Sequence, residues 1–403
     1  MGKGVSEKLK VEPAQLGGAG EYVLRLGDNA RSAVELASAH TKADSGDFKG
    51  LMALLRGPVD SLASATQRRQ RPVVDALVGT GNELKQNAWD YQSQDRSNAV
   101  SLGHTTFGGP TGMAVESFPG SESYGAPTPV DVAAPPHSDV DFRGLIDETM
   151  GFVGEVDGKI QSLIGWSPVQ SALEPIAGNW AALRTIGQTY GKAGTALGTV
   201  GDGLSDVRGR LDPHWDGRAA VAFGDYATDL ARGLEWEAAT GRLVQQGLEL
   251  AADKIEEAVK RVLVLLKDSL AKFVDFHDVS GTIHTVLKLI PGLGTKKTIE
   301  QVTLIIQDIY KTVDFMLTDV KRAVESVEEF LRFVEDPVGY VGDKSSSAVD
   351  EKLAPFKKNI DDARQSAQNT RDFLTVADVD SSRDMPHQRY EAGFGNDPWE
   401  DAP

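Results

Sequence analysis

The spacing of apolar residues in the middle of the chain constrains the fold most. Over Trp180–Leu211 apolar side chains recur every three or four residues, which places them along one face of a single long helix. A second stretch of the same kind follows over Phe223–Leu266, and residues 212–217 interrupt the pattern between the two. Two long apolar faces joined by a short connection predict an antiparallel helical hairpin, because each helix can bury its face against the other.

The first hundred residues show the same organisation. Residues 10–40 carry a helical period, residues 41–50 are turn-like, and a second helical stretch runs from about 51 to 102. Pro58 and Pro72 lie inside that second stretch, where a proline removes a backbone donor, so we expect them to bend or interrupt the helix. The pattern therefore predicts another helical hairpin here. In chain order it is the first hairpin, and the Trp180–Leu266 hairpin is the second.

Changes in composition divide the remainder. Gly, Pro and Ser occupy 16 of the 39 positions from 103 to 141, which is typical of a flexible linker. After the second hairpin we expect amphipathic helices at 282–290 and 298–334 and a polar helix at 345–376, with no strand pattern long enough to build a sheet. The fold class is therefore all-α, with tandem antiparallel hairpins that resemble a four-helix bundle. The predicted units are a hairpin (1–102), a linker (103–141), a second hairpin (142–280), amphipathic helices (281–376) and a disordered acidic tail (377–403).

Charge and cysteine content exclude several function classes. The chain has 42 Lys and Arg against 59 Asp and Glu, a net charge of −17, which argues against nucleic-acid binding because phosphate affinity depends on basic residues. The absence of Cys excludes disulfides and thiol catalysis. The first ten residues, MGKGVSEKLK, lack the apolar region of a Sec-type signal peptide. Asp and Lys interrupt the apolar stretch 259–317, which favours a helical core over membrane contact.

No pattern of catalytic or metal-binding residues stands out. The segment Gly292–Thr298 lacks the Gly that directly precedes the Lys of a phosphate-binding loop. His277 and His284 are the best metal candidates, but they share a helix face only if a helix continues through Ser280 and Gly281. We therefore expect neither an enzyme nor a bound metal or cofactor.

Two short motifs occupy the bends of the predicted hairpins. Trp215-Asp216-Gly217 separates the two long helices of the second hairpin, where Gly tolerates a positive φ and a large aromatic ring can cover the end of the core. Phe48-Lys49-Gly50 occupies the corresponding place in the first hairpin, with Phe instead of Trp.

A third motif closes the first hairpin. Tyr91 and Asp95 are four residues apart and so share one face of the predicted helix. The same spacing occurs at Tyr310 and Asp314, inside an amphipathic helix far from a hairpin end. We interpret that second copy as coincidence.

Together these motifs resemble substrates of type VII secretion systems in Gram-positive bacteria. Residues 165–275 resemble the Trp-x-Gly family through the start Pro175–Trp180, the W-D-G turn, and the run Ala219–Phe223 that opens the second helix. Residues 5–102 resemble the EspC-like branch of these substrates through the opening Leu9–Leu16. The Phe in place of Trp is a departure from the pattern.

The resemblance implies a function in export. In this family the Tyr-x-x-x-Asp motif after the second helix is the signal read by the secretion ATPase, so the hairpin is expected to present Tyr91 and Asp95 to that enzyme. Trp215, Gly217, Phe48 and Gly50 are expected to shape the hairpin turns. The protein would be secreted or held at the cell surface.

Several alternatives stay open at this stage. The hairpins could pair within one chain or each recruit a separate helical partner. The chain could also be the carrier module of a toxin or membrane-active effector, or a cytoplasmic helical scaffold that carries the motifs by chance.

Overall fold

The computed structural model describes residues 10–99, 115–151, 157–158, 161–162, 167–176, 178–271, 274–279, 282–287, 295–342, 346–364 and 366–391. Helices dominate this part of the chain, which confirms the predicted all-α class. The helices are α1 (Pro13–His40), α2 (Ala53–Ala99), α3 (Phe142–Met150), α4 (Pro168–Leu173), α5 (Trp180–Leu211), α6 (Arg218–Leu270), α7 (Thr295–Glu335), α8 (Pro337–Val341), α9 (Ser346–Arg364), α10 (Ala367–Ala377) and α11 (Val379–Arg383). None of the described helices has an apolar run long enough to cross a membrane.

The segment after α6 differs from the prediction. β1 (Val274–Val279) and β2 (Thr282–Leu287) form an antiparallel pair, so the prediction of a helix at 282–290 is wrong for the described residues 282–287. Val, Ile and Thr are frequent here and are separated by Ser-Gly, a combination that favours a β-hairpin over a helix. The register sets His277 opposite His284; their side chains lie outside the described residues. Among the described residues no group of three potential metal ligands occurs.

The long helices pair antiparallel. In the first pair, Gly20 of α1 lies against Gly81 of α2. In the second pair α5 and α6 run against each other, with Gly187 beside Gln245 and Gly201 beside Ala231. A stripe of glycines along α5 faces α6 and lets the two backbones approach closely. Its members are Gly187, Gly191, Gly194, Gly198 and Gly201.

The two pairs share a hydrophobic core. Leu26 of α1, Leu77 of α2, Leu204 of α5 and Leu230 of α6 are each at most 1% exposed and belong to one cluster of buried side chains. The described helices α1, α2, α5 and α6, which come from two of the predicted units, therefore bury side chains in one shared core and form a helical bundle. Burying each pair's outer apolar face against the other removes it from water.

Both prolines of α2 lie within a continuous helix, so neither of them interrupts it. Val59 and Val73, which follow Pro58 and Pro72, are each 1% exposed. Packing of this kind stabilises a helix more than its intrinsic propensity does, and it outweighs the donor that each proline removes.

The described part of the predicted linker, residues 115–141, is packed rather than free. Phe118 and Tyr124 are buried, and Arg25 of α1 donates to the carbonyl oxygen of Gly125 at 2.9 Å. Gly18 of α1 lies directly against the backbone of Glu122. The composition of residues 103–141 predicts a flexible linker, but it does not indicate that Gly18 of α1 leaves room for this segment to pack. Residues 103–114 lie outside the described residues.

The C-terminal region also departs from the predicted disordered tail. Residues 379–383 form α11, and the segment after it lies on the bundle with Met385 and Tyr390 each 2% exposed. The acidic composition of this segment predicts disorder, but the two buried side chains of Met385 and Tyr390 hold it on the bundle. Residues 392–403 lie outside the described residues.

Candidate functional site

The Trp215 turn lies where the chain passes from α5 to α6. Gly217 has φ 102°, a conformation that favours glycine, and it precedes the first residue of α6. Trp215 is only 3% exposed, and its ring lies 5.9 Å from that of Phe223, centroid to centroid. The indole therefore covers this end of the bundle core, as expected for a large aromatic residue at a hairpin bend.

The chain segment ahead of α1 pairs with this turn. The backbone N–H of Glu12 donates to the carbonyl oxygen of His214 at 3.0 Å, and that of Asp216 donates to the carbonyl oxygen of Lys10 at 2.8 Å. The Lys10 ammonium also donates to the Pro213 carbonyl oxygen at 2.6 Å. These bonds satisfy backbone groups that a tight turn otherwise leaves unpaired.

A carboxylate and an imidazole reinforce the same contact. Oε2 of Glu12 lies 3.0 Å from Nδ1 of His214. The hydrogen bond with His214 is the main cause that lowers the pKa of the Glu12 carboxyl below its ordinary value, because it favours the ionised form.

The structure brings the two motifs of the sequence together. Nε1 of Trp215 donates to the hydroxyl of Tyr91 at 3.4 Å, although 124 residues separate them. Tyr91 is 5% exposed, so it is covered rather than presented on the helix surface as the sequence suggested. The physical reason is that the second hairpin packs over the face of α2 that an isolated first hairpin would expose. Asp95 lies in α2, and its side chain is outside the described residues.

The far end of the chain completes the site. Tyr390 meets Trp215 edge-on at 6.3 Å and Phe223 at 5.5 Å between ring centroids. Its hydroxyl donates to the Ala219 carbonyl oxygen at 2.8 Å, and its backbone N–H donates to Oγ1 of Thr80 at 2.9 Å. Sequence reasoning missed this residue, because an isolated tyrosine in an acidic tail gives no indication of its tertiary contacts.

The Phe48-Lys49-Gly50 turn lies at the opposite end of the bundle. Gly50 has φ 55°, and a Cβ there would lie 2.7 Å from the carbonyl carbon of Ile176. Phe48 is buried. The residue that precedes α5, Asn179, donates its backbone N–H to the Asp47 carbonyl oxygen at 2.9 Å.

The two turns are therefore held in the same way. In each, the residue before an aromatic-x-Gly motif accepts a hydrogen bond from the residue that precedes the first helix of the other pair. Glu12 donates to His214 ahead of Trp215, and Asn179 donates to Asp47 ahead of Phe48. We call these reciprocal contacts the two clasps. They relate the pairs by an approximate two-fold arrangement, as in a dimer built from similar subunits.

Comparisons with known proteins leave the site to be interpreted from its geometry. No protein-family model matches the chain, and searches of curated proteins and of solved structures found no significant match. The groups that converge at the Trp215 end are aromatic rings, phenol hydroxyls and one Glu–His pair. Tyr and Trp combine an apolar ring with a polar tip, so each ring is buried here while its N–H or O–H group keeps a hydrogen-bond partner.

Proposed function

We propose that this protein is a non-enzymatic helical substrate or component of a type VII secretion system. Its export signal would combine the Tyr-x-x-x-Asp motif at Tyr91 with the Trp215 turn. The observation that carries the proposal is the contact between Tyr91 and Trp215.

The contact matters because the two motifs come from different helix pairs. Each motif is short enough to occur by chance, as the second Tyr-x-x-x-Asp at Tyr310 illustrates. Chance occurrence gives no reason for the Tyr91 copy to meet the Trp-x-Gly turn across 124 residues. A shared role in recognition does give one, because a partner that binds the two motifs as one signal needs them side by side, and the folded chain keeps both together and nearly covered.

The bundle itself supports the same proposal. The resemblance describes hairpins that pair into four-helix bundles, and here two helix pairs of one chain share a core and two clasps. The second pair thus takes the place of a partner chain. Tethering favours this arrangement, because it makes the pairing intramolecular.

Fractionation tests the proposal directly. The full chain is produced in a host that carries a type VII system, with and without a functional secretion ATPase, and is measured in culture supernatant and lysate. We expect ATPase-dependent appearance in the supernatant, and at least a tenfold loss for Tyr91→Ala. Tyr310→Ala is the matched control, because it alters the same motif at a position that the proposal does not use.

Each outcome bears on a separate part of the proposal. Wild-type protein that stays in the lysate would favour a cytoplasmic scaffold and contradict export. Normal export of Tyr91→Ala, or an equal loss with Tyr310→Ala, would contradict the assigned signal.

A further inference from the structure

We propose that residues 385–391, here called the C-terminal strap, form a releasable cover that controls access to the Tyr91–Trp215 pair. This inference rests on the proposed function, since it concerns regulation of the same site. In the structure both side chains of the pair are nearly inaccessible, with 5% and 3% of their surface exposed. A partner that reads them must first gain access to them.

The strap lies in a groove between α2 and α6. On the α2 side, Arg389 packs directly on Gly79, where an added Cβ would lie 2.7 Å from the Arg389 Cβ. Its guanidinium lies 3.4 Å from a carboxylate oxygen of Glu83. On the α6 side, Met385 fills the space left by Gly233. Both helical glycines therefore make room for the strap.

Tyr390 is the part of the strap that covers the site. Its ring meets both Trp215 and Phe223 edge-on, and its hydroxyl is bonded to the backbone of α6 at Ala219. The hydroxyl of Tyr226 donates to the Gln388 carbonyl oxygen at 3.0 Å, which fixes the strap beside the ring. Removing Tyr390 would uncover one side of the indole that holds the Tyr91 hydroxyl.

Most contacts that hold the helices together do not involve the strap. The two clasps use none of its residues, and within the shared core it contributes two side chains, those of Met385 and Tyr390. The ion pair between Arg389 and Glu83 is long, and burial is the main cause that raises the pKa of the Glu83 carboxyl. Its attraction is thus partly offset by desolvation.

Nitration of Tyr91 by tetranitromethane measures its accessibility in the full chain. Trypsin releases Tyr91 in the peptide 86–96, which contains no other tyrosine, so mass spectrometry gives a site-specific rate. We expect Tyr390→Ala and Gly79→Ala to accelerate nitration of Tyr91 at least tenfold. Gly209→Ala is the matched control, because a Cβ there meets no atom within 4 Å.

Tyr190 serves as an internal reference for folding. It is 4% exposed and belongs to the other core cluster, away from the strap. If Tyr390→Ala also accelerates nitration at Tyr190, that variant has loosened the whole bundle, and Gly79→Ala then decides. An unchanged Tyr91 rate in Gly79→Ala would overturn the proposal.

An export assay separates this inference from the proposed function. Strap variants should be exported severalfold faster than the wild type, while export of Tyr91→Ala stays at least tenfold below the wild type. Faster nitration with unchanged export would overturn the regulatory role of the strap and leave the signal intact. If Tyr91→Ala is exported normally, the proposed function fails, whereas the nitration result still decides whether the strap covers Tyr91.

Discussion

Gly20 of α1 lies directly against α2, so replacing it with alanine tests how closely the first helix pair packs. A Cβ there would lie 2.6 Å from the carbonyl oxygen of Gly81 and 3.1 Å from the backbone nitrogen of Lys85. An ordinary carbon–oxygen contact is about 3.3 Å, so the helices would have to separate by roughly 0.7 Å. No side-chain rotation relieves a clash with backbone atoms. Overpacking of this kind costs about 1–3 kcal/mol, and the higher helix propensity of alanine returns about 1 kcal/mol.

Gly209→Ala supplies the matched comparison, because it changes a helical glycine of α5 that faces open space. It should gain the propensity term of about 1 kcal/mol with no clash. We therefore expect Gly20→Ala to be less stable than Gly209→Ala by about 1–3 kcal/mol. Urea unfolding followed by circular dichroism measures the difference. If Gly20→Ala unfolds at the same urea concentration as Gly209→Ala, or at a higher one, the close approach of the two helices is refuted.

Three further predictions concern charge and protonation. Glu237→Gln should lower the free energy of unfolding by about 3 kcal/mol, because it leaves the charge of Arg69, now 2.7 Å from Glu237, without its partner; urea unfolding checks this, and an unchanged midpoint would contradict it. Since His214 lowers the pKa of Glu12 in the folded state, the clasp should lose stability as pH falls below the ordinary value of 4.5, seen as weaker protection of the Glu12 amide against hydrogen exchange relative to its intrinsic rate at each pH. Burial raises the pKa of Tyr226 to about 12, so the folded state retains its proton longer, and stability should fall as pH rises above about 10, measured by thermal unfolding on either side of that pH.

The long helices could be predicted from the sequence because their signals are local. The apolar period over Trp180–Leu211 and the Gly217 bend each specify structure within a few turns. The β-hairpin at 274–287 also had a local signal, the β-branched residues around Ser280 and Gly281. The prediction of a helix there gave more weight to the helical spacing of apolar residues than to the β-branched residues.

The candidate site could be predicted only in part. The place of Trp215 and Gly217 at a helix bend and the family resemblance around Tyr91 point to these residues, but no pattern along the chain indicates that Tyr91 and Trp215 touch. Contacts across 124 residues depend on how two helix pairs dock, which is a property of tertiary packing. Tyr390 was missed for the same reason, since the groove that holds it exists only after α2 and α6 have come together.

The measurement that tests the central claim most directly is a double-mutant cycle between Tyr91 and Trp215, read as the fraction of protein exported. Tyr91→Phe removes the hydroxyl, and Trp215→Phe removes the indole nitrogen that donates to it. If the two side chains act as one signal, the exported fraction of the double variant should be no lower than that of whichever single variant is exported less. Independent, multiplicative losses would show that the two motifs act separately and would contradict the account.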